Sequence, residues 1–180
     1  RVEMKRNTHQ NHVMIGCAGY SASDRRRIGL YLLNNILGGP GMNSRLNLAL
    51  REHSGLVYNV ESNITNYTDT GVFKIYFGVD AHDVERCLEL TLGELHRLCE
   101  HPLSTYNLHA AKKQLMGQVG VASDNFENAA IGMAKTYLHY GTYEGAEVLF
   151  RRIEALTSSE LWDIANELFI PNNLTTLIYR

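Results

Sequence analysis

The segment His96-Arg97-Leu98-Cys99-Glu100-His101 gathers two histidines and a glutamate in six residues. Such a set could hold a divalent metal. In an H-x-x-E-H helix, two facing histidines bind zinc and the glutamate acts as base for water attack on a peptide bond. The spacing here argues against it. Each helical residue advances by about 100°, so ligands sharing a face stand three or four apart. His96 and His101 are five apart, roughly 140° around the axis. His96 also falls with Glu85, Glu89 and Glu100 on the polar side of its segment, and Pro102 breaks the helix beside His101. No histidines elsewhere are four apart; His9 and His12 are three apart with no nearby carboxylate. All eight histidines are therefore read as structural or incidental, and the segment as a solvated helix end.

The remaining chemical groups have bland readings on their residues alone. Cys17, Cys87 and Cys99 are odd in number and form no C-x-x-C, so they read as three buried thiols in a reducing compartment. Gly38, Gly39 and Gly41 follow a helical pattern rather than a strand, which fits a turn better than a phosphate cradle. Arg25, Arg26 and Arg27 read as a solvated helix face, and Trp162 as core. Arg51 lies near a helix end, where a cation interacts favourably with the macrodipole. Tyr58 shares strand parity with Leu56, Val60 and Ile64, which allows a core tyrosine.

The elements that position these groups follow from periodicity. Asn11–Tyr20 reads as a strand. Ser21-Ala22-Ser23-Asp24 offers a helix N-cap, with Ile28, Tyr31, Leu32, Asn35 and Ile36 following at helical spacing. The turn Gly38–Gly41 stops that helix, since glycine tolerates a left-handed end and Pro40 cannot continue it. Asn43 or Ser44 is expected to cap a short helix through Ser54, ended by Gly55. The chain then enters a strand from Leu56, and a second strand, Gly71–Asp80, places Phe73, Ile75, Phe77 and Val79 on one face, giving an antiparallel hairpin. Val84, Cys87, Leu88, Thr91, Leu95 and Leu98 form the stripe of an amphipathic helix. Helices are expected from Ser104 to about Phe169, interrupted near 123–124 and 141–145. Thr157 and Glu160 open the last as a capping box, and Asn173–Arg180 closes as a strand. The pattern predicts an α+β fold, a mainly antiparallel sheet with helices packed on one face.

A length of 180 residues fits a single domain, 1–180. With 44% hydrophobic and 20% charged residues and a formal charge of −2, nothing favours nucleic acid or a membrane surface as partner. No apolar run reaches the roughly 18–20 residues of a membrane span, and no signal-peptide pattern is visible. With the odd cysteine count, this favours a cytoplasmic setting. The initial arginine suggests a piece of a longer chain.

The stretch Leu32–Val60, "LLNNILGGPGMNSRLNLALREHSGLVYNV", is the most specific. It resembles the metal-free, carboxy-terminal half of the pitrilysin/insulinase/mitochondrial-processing-peptidase family of zinc metallopeptidases. That half has a helix ending in "LGGG", a helix start like "MSSRL", and a "REKxGLAY" entry into a strand. "AKKQLMGQ" (111–118) and the closing 156–179 extend the likeness over nearly the whole chain. Pro40 within the turn and His53-Ser54 in place of a commoner pair are the departures.

The resemblance implies a two-half zinc endopeptidase acting on peptides or unfolded segments. Its zinc and H-x-x-E-H lie on the other half, in the same chain or in a partner subunit, and a dimer is compatible with it. This half is implied to lend Arg51 and Tyr58: Arg51 to hold substrate or equally to orient Tyr58, and Tyr58 to hold substrate and to hydrogen-bond the developing oxyanion. The isolated chain is then expected to bind no catalytic zinc and to be inactive. The alternative is a non-catalytic scaffold subunit of the same fold that only binds a partner.

Overall fold

Alternation along the strands decides how the sheet assembles. In the computed structural model, which describes residues 1–5, 9–143 and 145–180 (the side chains of Asn128, His139 and Tyr140 excepted), β2 (Asn11–Gly19) buries Val13, Ile15 and Cys17. β4 (Gly71–Val79) buries Phe73, Ile75, Phe77 and Val79. The two pair antiparallel with Val13 opposite Phe77 and Ile15 opposite Ile75, so both apolar sets meet on one face. β3 (Val57–Asn66) pairs antiparallel with β4, and β5 (Thr175–Tyr179) antiparallel with β2. A short strand that periodicity did not reveal, β1 (Val2–Met4), adds parallel to β5. The order is β1-β5-β2-β4-β3, which leaves β3 at an edge.

Helices cover the apolar face. α1 (Arg27–Gly38) contributes Leu30, Leu33 and Leu37, and α2 (Val84–Glu100) buries the expected stripe from Val84 to Leu98. Beyond them come α3 (Thr105–Ser123), α4 (Phe126–Tyr140), α5 (Ala146–Ala155) and α6 (Ser158–Leu168). α6 returns Leu161, Ile164 and Leu168 to the core, and Phe169 packs on Phe73 with ring centroids 4.9 Å apart. The Thr157–Glu160 capping box forms in full. The opposite face of the sheet stays open, with Met14 and Val72 exposed. The expected interruption at 141–145 holds among the described residues; Glu144 lies outside them. No helix among the described residues is long and apolar enough to cross a membrane.

Several local expectations are corrected. Ser21–Asp24 forms turns ahead of α1, and the Asp24 carboxylate accepts from the Arg26 backbone N–H at 2.8 Å. Arg26 is no idle surface cation. It bridges Asp24 and Glu167 at 2.7 and 2.9 Å and lies 4.3 Å over the Tyr20 ring. This pairing holds the Asp24 carboxyl below its ordinary range, chiefly through the hydrogen bond from Arg26. Cys17 and Cys87 are buried, but Cys99 is only half-buried, its thiol donating to the Ala165 carbonyl at 3.3 Å.

Candidate functional site

The end of α1 approaches β3 closely. A Cβ on Gly38 would sit 2.7 Å from the backbone nitrogen of Ser62, and one on Gly39 would sit 2.8 Å from the Asn35 carbonyl oxygen. Gly39 has φ −64° and ψ 176°, so these glycines serve contact rather than the left-handed end expected from sequence. The turn after them is tied to α3 by amides. Asn43 donates to Gln114 at 2.9 Å, Gln114 donates to Asn35 at 3.4 Å, and Asn35 donates to Gln118.

The short helix that follows is a π-helix, Asn47–Glu52, anchored by buried Leu46 and Leu50. Its i→i+5 bonding shows in His53 N–H donating to the Leu48 carbonyl at 2.9 Å. Ser44 does not cap it through a backbone N–H; its hydroxyl accepts from the Asn47 side chain at 2.8 Å. Such turns insert a residue into the helical register and occur often at functional sites. Gly55, at φ +62°, reverses the chain, its N–H donating to the Arg51 carbonyl at 2.9 Å.

Entry into β3 is irregular at the residue of interest. Val57 pairs with Val79 and Val60 with Phe77, so three steps on β3 match two on β4. This β-bulge switches the buried parity: Val57 is inward, then Val60 and Ser62. Tyr58 and Asn59 both project out. The core-tyrosine reading from parity fails, since Tyr58 is 91% exposed. Its hydroxyl has no partner among the described residues.

Arg51 projects from the π-helix beside β3 with its side chain 41% exposed, its ion-pair partner being Glu52 at 3.5 Å. It lines a concavity of about 320 Å³ with Gly39, Asn47, Asn59, Glu61 and Asn63. Tyr58 stands outside those walls, next to Asn59 in the bulge. Asn59, Glu61 and Asn63 were missed in the sequence; only their place on an edge strand marks them. The arrangement offers a guanidinium and a free phenol beside exposed strand backbone, suited to holding an extended chain.

The histidine pair fails in space as it did in spacing. His96 is 72% exposed and 3.4 Å from Glu100, and His101 has extended backbone at the end of α2. Among the described residues no three histidine, cysteine, aspartate or glutamate side chains form a group that could hold a metal, so the residues present do not fit zinc.

Residues 1–115 match the family described as the peptidase M16 inactive domain. The chain belongs to the M16 peptidase family. It is 32% identical over 168 residues to an uncharacterized zinc protease of Streptomyces coelicolor, covering 93% of this chain and 36% of that protein. The M16 chain thus spans less than half of the curated relatives it matches, 43% in the case of one from Bacillus subtilis. Its fold matches that of a protease from Helicobacter pylori with TM-score 0.88 at 20% identity, over 99% of this chain and 43% of the other. It also matches a peptidase M16 inactive domain from Pseudomonas fluorescens with TM-score 0.78 at 23% identity, over 99% and 42%. The expected carboxy-terminal M16 half and its α+β, mainly antiparallel fold are both borne out.

Proposed function

We propose that this M16 domain, residues 1–180, is the substrate-binding and closing half of a zinc-dependent endopeptidase that hydrolyses peptides or unfolded segments. Its relatives carry the name zinc protease. The zinc ligands belong to an amino-terminal half or partner subunit; in support, no group that could hold a metal forms among the described residues of this chain. Zinc there would supply an activated water; the residues here bind and orient.

The observation that carries the reading is the bulge at the β3 edge, which turns Tyr58 outward beside the Arg51 concavity. A strand without it, in the register that buries Val60 and Ser62, would send Tyr58 toward the core. The phenol of Tyr58, without a partner among the described residues, donates a hydrogen bond to the carbonyl oxygen as it gains negative charge. The Arg51 fork holds backbone carbonyls or a carboxylate of the peptide in register. Because both groups come from the half opposite the metal, the site is complete only when the halves close, which also excludes water.

The test is Tyr58→Phe in the full-length protein. kcat should fall by about 10²-fold or more with little change in KM, as for loss of an oxyanion donor. Melting should be unaltered, since an exposed hydroxyl without partners contributes little to stability. An unchanged kcat removes Tyr58 from the mechanism, whereas a wild-type full-length protein without peptidase activity favours a scaffold that only binds a partner.

A further inference from the structure

Two arginines lie near one buried carboxylate where α2 meets the segment after the glycine turn, and only one of them is paired to it. Glu94, only 7% exposed, is ion-paired to Arg97. Arg45, two residues before the π-helix, lies in the field of both: Glu94 favours its charge and Arg97 opposes it. Burial acts on it most strongly and pushes its pKa down. Among the described residues the Arg45 guanidinium makes no hydrogen bond and no ion pair. Five N–H donors are therefore partly withdrawn from water without an acceptor, an arrangement that costs free energy unless a ligand completes it. Two guanidiniums and one carboxylate also leave the cluster with a surplus positive charge.

Arg45 opens into a concavity of about 240 Å³ between the turn and the start of α3. Its walls carry the polar side chains of Asn43, Asn107 and Gln114 and the apolar ones of Ile36 and Leu103, with no acidic residue. Asn43 and Gln114 already hold each other, at 2.9 and 3.3 Å, so the floor is fixed before anything binds. The volume suits a group the size of one side chain, smaller than the usual cofactor site.

We infer that this concavity is a binding site for a carboxylate on a short methylene stem, anchored by Arg45. The two carboxylate oxygens match the planar guanidinium fork, which a single ammonium would not. Ile36 and Leu103 receive the stem. The same chemistry is found in a free dicarboxylate and in a glutamate side chain of a peptide. The site shares no lining residue with the Arg51 concavity and does not depend on the peptidase reading.

The test measures melting of the full-length protein against glutarate and, separately, against a blocked glutamate peptide, at constant ionic strength with chloride as reference. A saturable rise of several degrees is expected with at least one probe. A response to glutarate alone assigns the free acid, and a response to both or to the peptide alone assigns the side chain. Arg45→Gln should abolish the response and, without any anion, melt at or above wild type, because it removes an unpaired, half-buried charge. Asn107→Asp should place a carboxylate on the same wall and lose the response as well. The proposal is overturned by any of three results: no saturable response to either probe, a response undiminished in both variants, or an Arg45→Gln protein that melts several degrees below wild type.

Discussion

Gly38→Ala should destabilise the protein, although alanine is the better helix former and Gly38 closes α1. The added Cβ would lie 2.7 Å from both the backbone nitrogen and the hydroxyl of Ser62 and 3.0 Å from its Cβ. Ser62 cannot retreat easily. Its hydroxyl donates to the Asn34 carbonyl at 3.1 Å, and its backbone is in register with Ile75 of β4. Overpacking of this kind costs about 1–3 kcal/mol. The gain in helix propensity offsets at most about 1 kcal/mol. The net effect is a loss of about 1–2 kcal/mol, or a melting temperature lower by roughly 2–8 °C for a domain of this size. Thermal unfolding of the full-length variant beside wild type measures it. Gly38 also lines the Arg51 concavity, so peptidase activity should fall with the displaced helix end. An unchanged or raised melting temperature would refute the reasoning, since it would mean that α1 is free to slide along β3.

Two further outcomes are expected. Gly55→Ala should cost about 1–2 kcal/mol from backbone strain alone, because Gly55 is left-handed and no atom crowds its Cβ position; a neutral variant in chemical denaturation would contradict this. Burial raises the Cys17 and Cys87 thiols from an ordinary 9.0 to about 11. The unfolded chain therefore loses these protons first, so stability is fully present below pH 9 and falls as pH rises toward about 11. Urea midpoints across that interval should decline, and a flat profile would count against buried thiols.

The sequence carried the fold wherever a regular period met a buried face. β2, β4, α2 and the capped start of α6 lie where alternation, the apolar stripe and Thr157-x-x-Glu160 place them. Features made by a single inserted residue were not legible. The π-helix keeps a helical pattern of apolar residues while shifting its hydrogen bonds, and the bulge at Tyr58–Asn59 exchanges the faces of β3 at its start. Contacts between distant segments were equally hidden. β1 exists only because the end of the chain brings β5 beside it, and Gly38 is required by Ser62, a residue on another element. A motif singled out Arg51 and Tyr58, and nothing in the sequence marked their surroundings. Arg45 lay inside that same motif, and only the lack of a partner among the described residues distinguishes it.

Photocrosslinking from position 58 tests the division of labour most directly. Full-length protein with benzoylphenylalanine in place of Tyr58 would be irradiated with a labelled, unstructured peptide after chelation prevents cleavage. A second sample carries the probe in place of Tyr106, which is 81% exposed on α3. The account expects a peptide adduct at 58 that excess unlabelled peptide suppresses, and none at 106. An adduct at 106 with none at 58 would place the peptide on the helical side and contradict it.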